Sequence, residues 1–152
     1  MSVLSGGCAC GAVRYELADE PIFQLICHCA DCRRASGSEF AKVLFAAADR
    51  LSMLGSELKL FPVRASSGRT MNRGFCENCG SLVTINRPEI PQIEFLQAGS
   101  LDDPSLFTPA TEVFTCRADL LITSIESIGR LKEGPPIELF RDVVAAHFAK
   151  RH

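Results

Sequence analysis

A mainly β fold is what this sequence predicts, and three observations carry that expectation. Short runs of alternating apolar and polar residues recur along the chain, turn signals separate them, and seven of the eight cysteines fall in tight clusters with the spacing of metal ligands. The first run is Val13-Arg14-Tyr15-Glu16-Leu17, whose strict alternation describes a half-buried strand. Similar runs occupy residues 22–27, 40–45, 58–63 and 82–85. Two more strands are expected at 93–98 and 112–116, with Ser66-Ser67-Gly68 and Asp102-Asp103-Pro104 as turns between elements. One long helix closes the chain: Pro136 suits its first turn, and Ile137, Phe140, Val144 and Phe148 repeat at helical period beside Glu138, Arg141 and Lys150. That apolar stripe is expected to pack on the sheets rather than on a membrane or partner.

The chain has 152 residues, 47% of them hydrophobic, which suits a single domain over residues 1–152 with an ordinary core. No apolar run approaches the roughly 18 residues of a membrane span, and the first residues lack a basic region followed by an apolar one. The expected address is the cytoplasm, with no membrane association. Sixteen Lys and Arg against eighteen Asp and Glu give a formal charge of -2 without a basic block, which argues against a nucleic-acid partner. Oligomeric state is not legible in these features.

In a reducing compartment clustered thiols point to metal or catalysis rather than disulfides. Cys8 and Cys10 form one pair, and Cys76 and Cys79, followed by Gly80, form another. In an extended segment residues i and i+2 face the same way, and a C-x-x-C turn closed by a glycine at positive φ brings two sulfurs together. Four thiolates make a closed tetrahedral site of the structural kind. Cys27, Cys29 and Cys32 make a second cluster with only three thiolates, so its fourth position is expected to be open, as in a catalytic zinc site. If Cys27 and Cys29 share a face, His28 points to the other, and its expected role is packing or support behind the ligands; completion of the site by His28 or Cys116 is the alternative. Arg33 and Arg34 follow Cys32 directly and are the expected receivers of a substrate carboxylate, with Arg69, Arg73 and Lys42 as weaker candidates.

The segments GGCACGAVRYE (6–16), CHCADCRRASGSEF (27–40), RGFCENCGS (73–81) and GSLDD (99–103) resemble the glutathione-dependent formaldehyde-activating enzyme family, which also includes centromere protein V. The resemblance covers about two thirds of the chain. It implies a β-tent, several coiled antiparallel sheets around zinc knuckles, an architecture shared with methionine sulfoxide reductase B. It also implies two zinc ions per chain, a structural one on Cys8, Cys10, Cys76 and Cys79 and a catalytic one on Cys27, Cys29 and Cys32. The implied reaction is carbon-sulfur lyase chemistry between a small-molecule thiol and an aldehyde: glutathione adds to formaldehyde, or the adduct is cleaved. The sequence departs from the family after Pro104, where Glu112 and Leu120 take the places of a histidine and of part of a basic-x-x-Trp stretch.

Two other readings belong to different classes. One is a non-catalytic zinc scaffold that binds another protein, which a protein side chain in the fourth position of the three-cysteine site would favour. The other is thiol redox catalysis through Cys116, with Arg117 lowering its pKa. Against the latter, Cys116 is expected to be an ordinary buried cysteine.

Overall fold

The computed structural model describes residues 4–118 and 128–150. In chain order its main elements are β1 (Leu4–Gly7), β2 (Val13–Leu17), β3 (Phe23–Cys27), α1 (Ala30–Ser36), β4 (Ala41–Ala47), β5 (Leu51–Gly55), β6 (Lys59–Arg64), β7 (Thr70–Phe75), β8 (Leu82–Asn86), β9 (Ile93–Gln97), β10 (Thr111–Val113), β11 (Gly129–Arg130) and α2 (Ile137–Ala149). The architecture is mainly β, as expected. β1, β2 and β5 form an antiparallel sheet in the order β1-β2-β5, and the remaining strands form a larger sheet in the order β11-β10-β3-β4-β9-β8-β7-β6. Pairing in the larger sheet is antiparallel except around β10, which runs parallel to both β3 and β11.

Strand alternation decides which face each site occupies. On β2, Val13, Tyr15 and Leu17 are wholly buried while Glu16 is exposed. Burying side chains of this size contributes about 1.5–3 kcal/mol each. They join Leu44, Val83 and Leu96 in a core that also contains Cys8 and Cys76. The second core holds Leu25, Val43, Phe45, Ile85, Phe95 and Val113 together with Cys27, and Cys29, Cys32, Phe140 and Val144 pack against it. Adjacent β4 residues contribute to different cores, Leu44 to the first and Val43 and Phe45 to the second, so this strand is buried on both faces and reads as an almost unbroken apolar run. The cysteine clusters therefore lie in separate cores.

Two expected elements differ at their ends, and a third, the strand before Cys27, runs into a helix that the sequence did not announce. The 112–116 strand stops at Val113: Phe114 takes a left-handed conformation (φ 57°) and a short 3-10 turn, Thr115–Arg117, follows. The 22–27 strand is followed at once by α1, whose N-cap is Cys29. Pro136 is the N-cap of α2 rather than its first helical residue, and the helix lays Phe140 against Phe45 with ring centres 5.5 Å apart. Among the described residues no helix is long and apolar enough to cross a membrane.

Candidate metal centres

Cys8, Cys10, Cys76 and Cys79 converge, with all four sulfurs within 4.8 Å of one another. The Cys8 and Cys10 sulfurs are 3.5 Å apart, and those of Cys10 and Cys76 are 3.8 Å apart. Four sulfurs placed tetrahedrally at about 2.3 Å from zinc would be separated by about 3.8 Å, so the donor set and its spacing fit that ion. The local backbone explains the convergence. Cys8 and Cys10 do not lie on an extended segment, as the sequence reading supposed. They lie on a turn in which the Gly11 amide donates to the Cys8 carbonyl at 3.1 Å, with Gly11 at φ 76°. The second pair closes as expected: Gly80, at φ 75°, donates to the Cys76 carbonyl at 2.8 Å.

Polar groups surround these sulfurs in a way that suits thiolates. The Val13 amide donates to Cys8 Sγ at 3.3 Å, and Asn78 Nδ2 donates to Cys10 Sγ at 3.2 Å. The Ser81 hydroxyl sits 3.3 Å from Cys79 Sγ and, together with its own amide, holds that thiol down to about 5. Val13 likewise lowers Cys8. Such hydrogen bonds stabilise the charged form, which is the form that ligates a metal.

Cys27, Cys29 and Cys32 form the second cluster, again within 4.8 Å, and among the described residues no fourth Cys, His, Asp or Glu joins them at that distance. Cys27 ends β3. Cys29 is extended (φ -63°, ψ 154°) and caps α1 by accepting from the Cys32 amide at 3.3 Å. The first turn of that helix then returns Cys32 to its partners. Hydrogen bonds from Cys27 and Cys32 push the Cys29 thiol far down, and the same sharing pushes Cys27 and Cys32 up.

His28 points away from this cluster. It is 1% exposed, its ring packs edge-on to Phe40 with centres 5.7 Å apart, and its Nε2 lies 3.8 Å from Glu112 Oε2. Burial lowers its pKa, and the Glu112 charge opposes that shift. Glu112, read from sequence only as a departure from a family pattern, is 2% exposed and meets Arg130 Nε at 3.4 Å. Leu120 lies outside the described residues.

The arginines divide. Arg33 donates to the backbone carbonyl of Arg117 at 3.4 Å, and Arg34 is exposed. Lys42 lies over the Phe107 ring, 5.8 Å from its centre. Arg33 and Arg34 lie on α1 itself, and Arg73 reaches that helix from β7, donating to the Asp31 carbonyl at 3.4 Å. Its signal in the sequence was its place at the head of the RGFCENCGS segment. Cys116 corrects an expectation: it is exposed rather than buried. Desolvation and the neighbouring Glu133, whose Oε1 lies 3.3 Å from the sulfur, raise its pKa, so Arg117 does not activate it.

The sequence model of the family described as glutathione-dependent formaldehyde-activating enzyme matches residues 3–117, well over half of the chain. A Halomonas elongata protein provisionally named a glutathione-dependent formaldehyde-activating enzyme is 31% identical over 104 residues, covering 66% of each chain. The crystal structure of a Rhodobacter sphaeroides protein is similar with a TM-score of 0.50 at 24% identity, covering 66% of this chain and 92% of that one, which speaks to fold alone.

Proposed function

The chain belongs to the glutathione-dependent formaldehyde-activating enzyme family, and from that premise we propose that it is a zinc-dependent carbon-sulfur lyase acting on a small thiol and an aldehyde. In the forward direction the sulfur of glutathione bonds to the carbonyl carbon of formaldehyde, the carbon-oxygen π bond opens, and the thiol proton ends on that oxygen. The product is S-(hydroxymethyl)glutathione, and cleavage is the same step reversed. The same reading takes residues 1–152 as one domain working in the cytoplasm, with one structural and one catalytic zinc.

The observation that carries this reading is the contrast between the clusters. One brings four sulfurs together, while the other brings three, with no fourth donor among the described residues. Zinc held by Cys27, Cys29 and Cys32 would supply Lewis acidity, favouring a thiolate or polarising a carbonyl. The chain does the positioning. Cys29 is held by the Cys32 amide, Cys27 is fixed in β3 beside Val113, and the apolar side chains of Phe114, Leu131 and Phe140 pack against the same core. The half-buried setting of Cys29 and Cys32 limits water at the reacting atoms.

Exchange spectroscopy of the glutathione-formaldehyde equilibrium, run at known concentration of zinc-loaded protein, tests the activity. Acceleration that disappears in Cys29→Ala supports it. No acceleration over the uncatalysed exchange would remove the named reaction and favour a zinc scaffold.

A further inference from the structure

We propose that Arg73 receives a carboxylate of the substrate at the three-cysteine centre, so that the thiol taken there is an acidic one. This rests on the thiol reading above and adds to it the feature by which the thiol is recognised.

Strand register places Arg73 on the face of the sheet that carries the centre. Arg73 on β7 is opposite Ile85 on β8, Ile85 is opposite Phe95 on β9, and Phe95 is opposite Phe45 on β4. Ile85, Phe95 and Phe45 belong to the core that contains Cys27 and packs against Cys29 and Cys32. The guanidinium at the end of this row reaches α1 itself: its Nη2 donates at 3.4 Å to the carbonyl of Asp31, the residue before Cys32.

The charge on Arg73 is not neutralised there. Asp31 is the nearest acid along α1, but its carboxylate is turned to the Ser66 amide at 2.9 Å, and only its backbone oxygen meets the arginine. Among the described residues Arg73 makes no ion pair, and its Nε is buried without a hydrogen-bond partner. Arg87, which follows β8, is another incompletely satisfied guanidinium. It is 18% exposed, its Nε is also buried without a hydrogen-bond partner, and Glu89 lies 3.8 Å away. A poorly satisfied guanidinium costs free energy, and a carboxylate matches its fork of donors. A divalent ion on three thiolates carries a net negative charge, so an anionic substrate needs such a cation close at hand. Arg34 faces solvent, and Arg33 gives one donor to a backbone carbonyl at 3.4 Å as Arg73 does, but among the described residues only Arg73 of the two has a buried nitrogen without a partner.

The rival role for Arg73 is to offset the charge of the thiolates themselves, which would affect every thiol alike. Calorimetric titration of the zinc-loaded full chain with glutathione and with its diethyl ester separates the two roles. The wild type is expected to bind glutathione at least tenfold more tightly than the ester. Arg73→Gln should weaken glutathione about tenfold or more while leaving the ester within twofold, and Arg73→Lys, which keeps the charge but loses the fork, should fall between. Zinc content and far-ultraviolet circular dichroism check that each variant is folded; should Arg73→Gln fail to fold, Arg73→Lys and the wild-type comparison of the two ligands still decide. Equal weakening of both ligands, or equal wild-type affinity for them, overturns the proposal while leaving the thiol reading intact. Failure of the wild type to bind either ligand overturns both.

Discussion

His28 Nε2 and Glu112 Oε2 lie 3.8 Å apart, on side chains only 1% and 3% exposed, directly behind the segment that carries Cys27 and Cys29. The parallel pairing of β10 with β3 creates this relationship, since Glu112 registers with Ile26 and Val113 with Cys27, while the His28 amide donates to the Val113 carbonyl at 3.1 Å. Among the described residues the arginine that meets this carboxylate is Arg130, at 3.4 Å on the parallel neighbour β11. Removing one partner of a buried pair leaves the other uncompensated, which costs more than the pair itself contributes.

A double-mutant cycle follows from that geometry. Arg130→Ala should destabilise the protein by about 1–2 kcal/mol, because Arg130 is half exposed while the carboxylate it leaves is buried. In the Glu112→Gln background the same substitution should cost at least about 1 kcal/mol less. Urea unfolding of the four proteins measures both quantities. Additive losses would mean that Arg130 and Glu112 are neighbours without coupling.

The two cysteine clusters should respond differently to loss of a ligand. Cys76 is 1% exposed and lies in the core shared by the two sheets, so Cys76→Ala removes both a metal ligand and the tie between distant parts of the chain. Metal binding at such a site is coupled to folding, and the variant should be insoluble or unfolded. Cys29 is only partly buried, at the edge of its core, and Cys29→Ala should remain folded while zinc falls from about two to about one per chain. Elemental analysis with thermal unfolding separates these outcomes. Equal loss of fold in both variants would make the three-cysteine centre structural.

Both clusters were legible in the sequence because ligand spacing is local, and so were β2, β3, β4, β6, β8, β9 and α2, whose residues alternate or repeat along one face. The strands that escaped have physical reasons to do so. β1 is Leu-Ser-Gly-Gly, too small and glycine-rich to show a pattern; β5, Leu-Ser-Met-Leu-Gly, breaks its alternation at Met53-Leu54; β7 interrupts its apolar positions with Asn72, Arg73 and Gly74. The α1 helix was hidden because its seven residues hold no buried side chain and its cap is a cysteine, outside the usual N-cap residues. The surroundings of Glu112 depend on its pairing with β3, and those of Arg73 on its contact with Asp31 in α1, both far apart in sequence, which no local pattern records.

Gly6 illustrates how a motif residue acquires its reason only in three dimensions. A Cβ on Gly6 would collide with the Ser100 carbonyl and the Tyr15 hydroxyl, and Tyr15 is itself wholly buried and 2.9 Å from Ser100 Oγ. Gly6→Ala should therefore destabilise by about 1–3 kcal/mol through overpacking against backbone. At Gly99 a Cβ would meet nothing within 4 Å, so Gly99→Ala should stay within about 0.5 kcal/mol of wild type. Chemical denaturation of the pair is the test, and similar values for both would show that β1 gives way without cost.

Asp102 clamps the first strand to the end of the GSLDD segment, and the clamp should be readable as a pH dependence. Its carboxylate accepts from Arg14 Nη1 at 2.8 Å and from Ser5 Oγ at 2.7 Å, pairs also with Arg14 Nη2, and is held down to about 2 from an ordinary 3.8, first by Arg14 and then by Ser5. A carboxylate whose folded pKa is depressed adds stability above its unfolded value and loses it as pH falls through the folded one. The stability difference between wild type and Asp102→Asn should therefore be constant above about pH 5, shrink from about pH 4 downward, and vanish below about pH 2. Acid also protonates the zinc-binding thiolates, but it does so in both proteins, and taking the difference at each pH removes that contribution. The Arg14 and Asp102 side chains are 39% and 44% exposed, so high salt should reduce the difference at neutral pH. A difference that stays the same from about pH 6 to about pH 3 would show that Asp102 is valued for its hydrogen-bond shape and not for its charge.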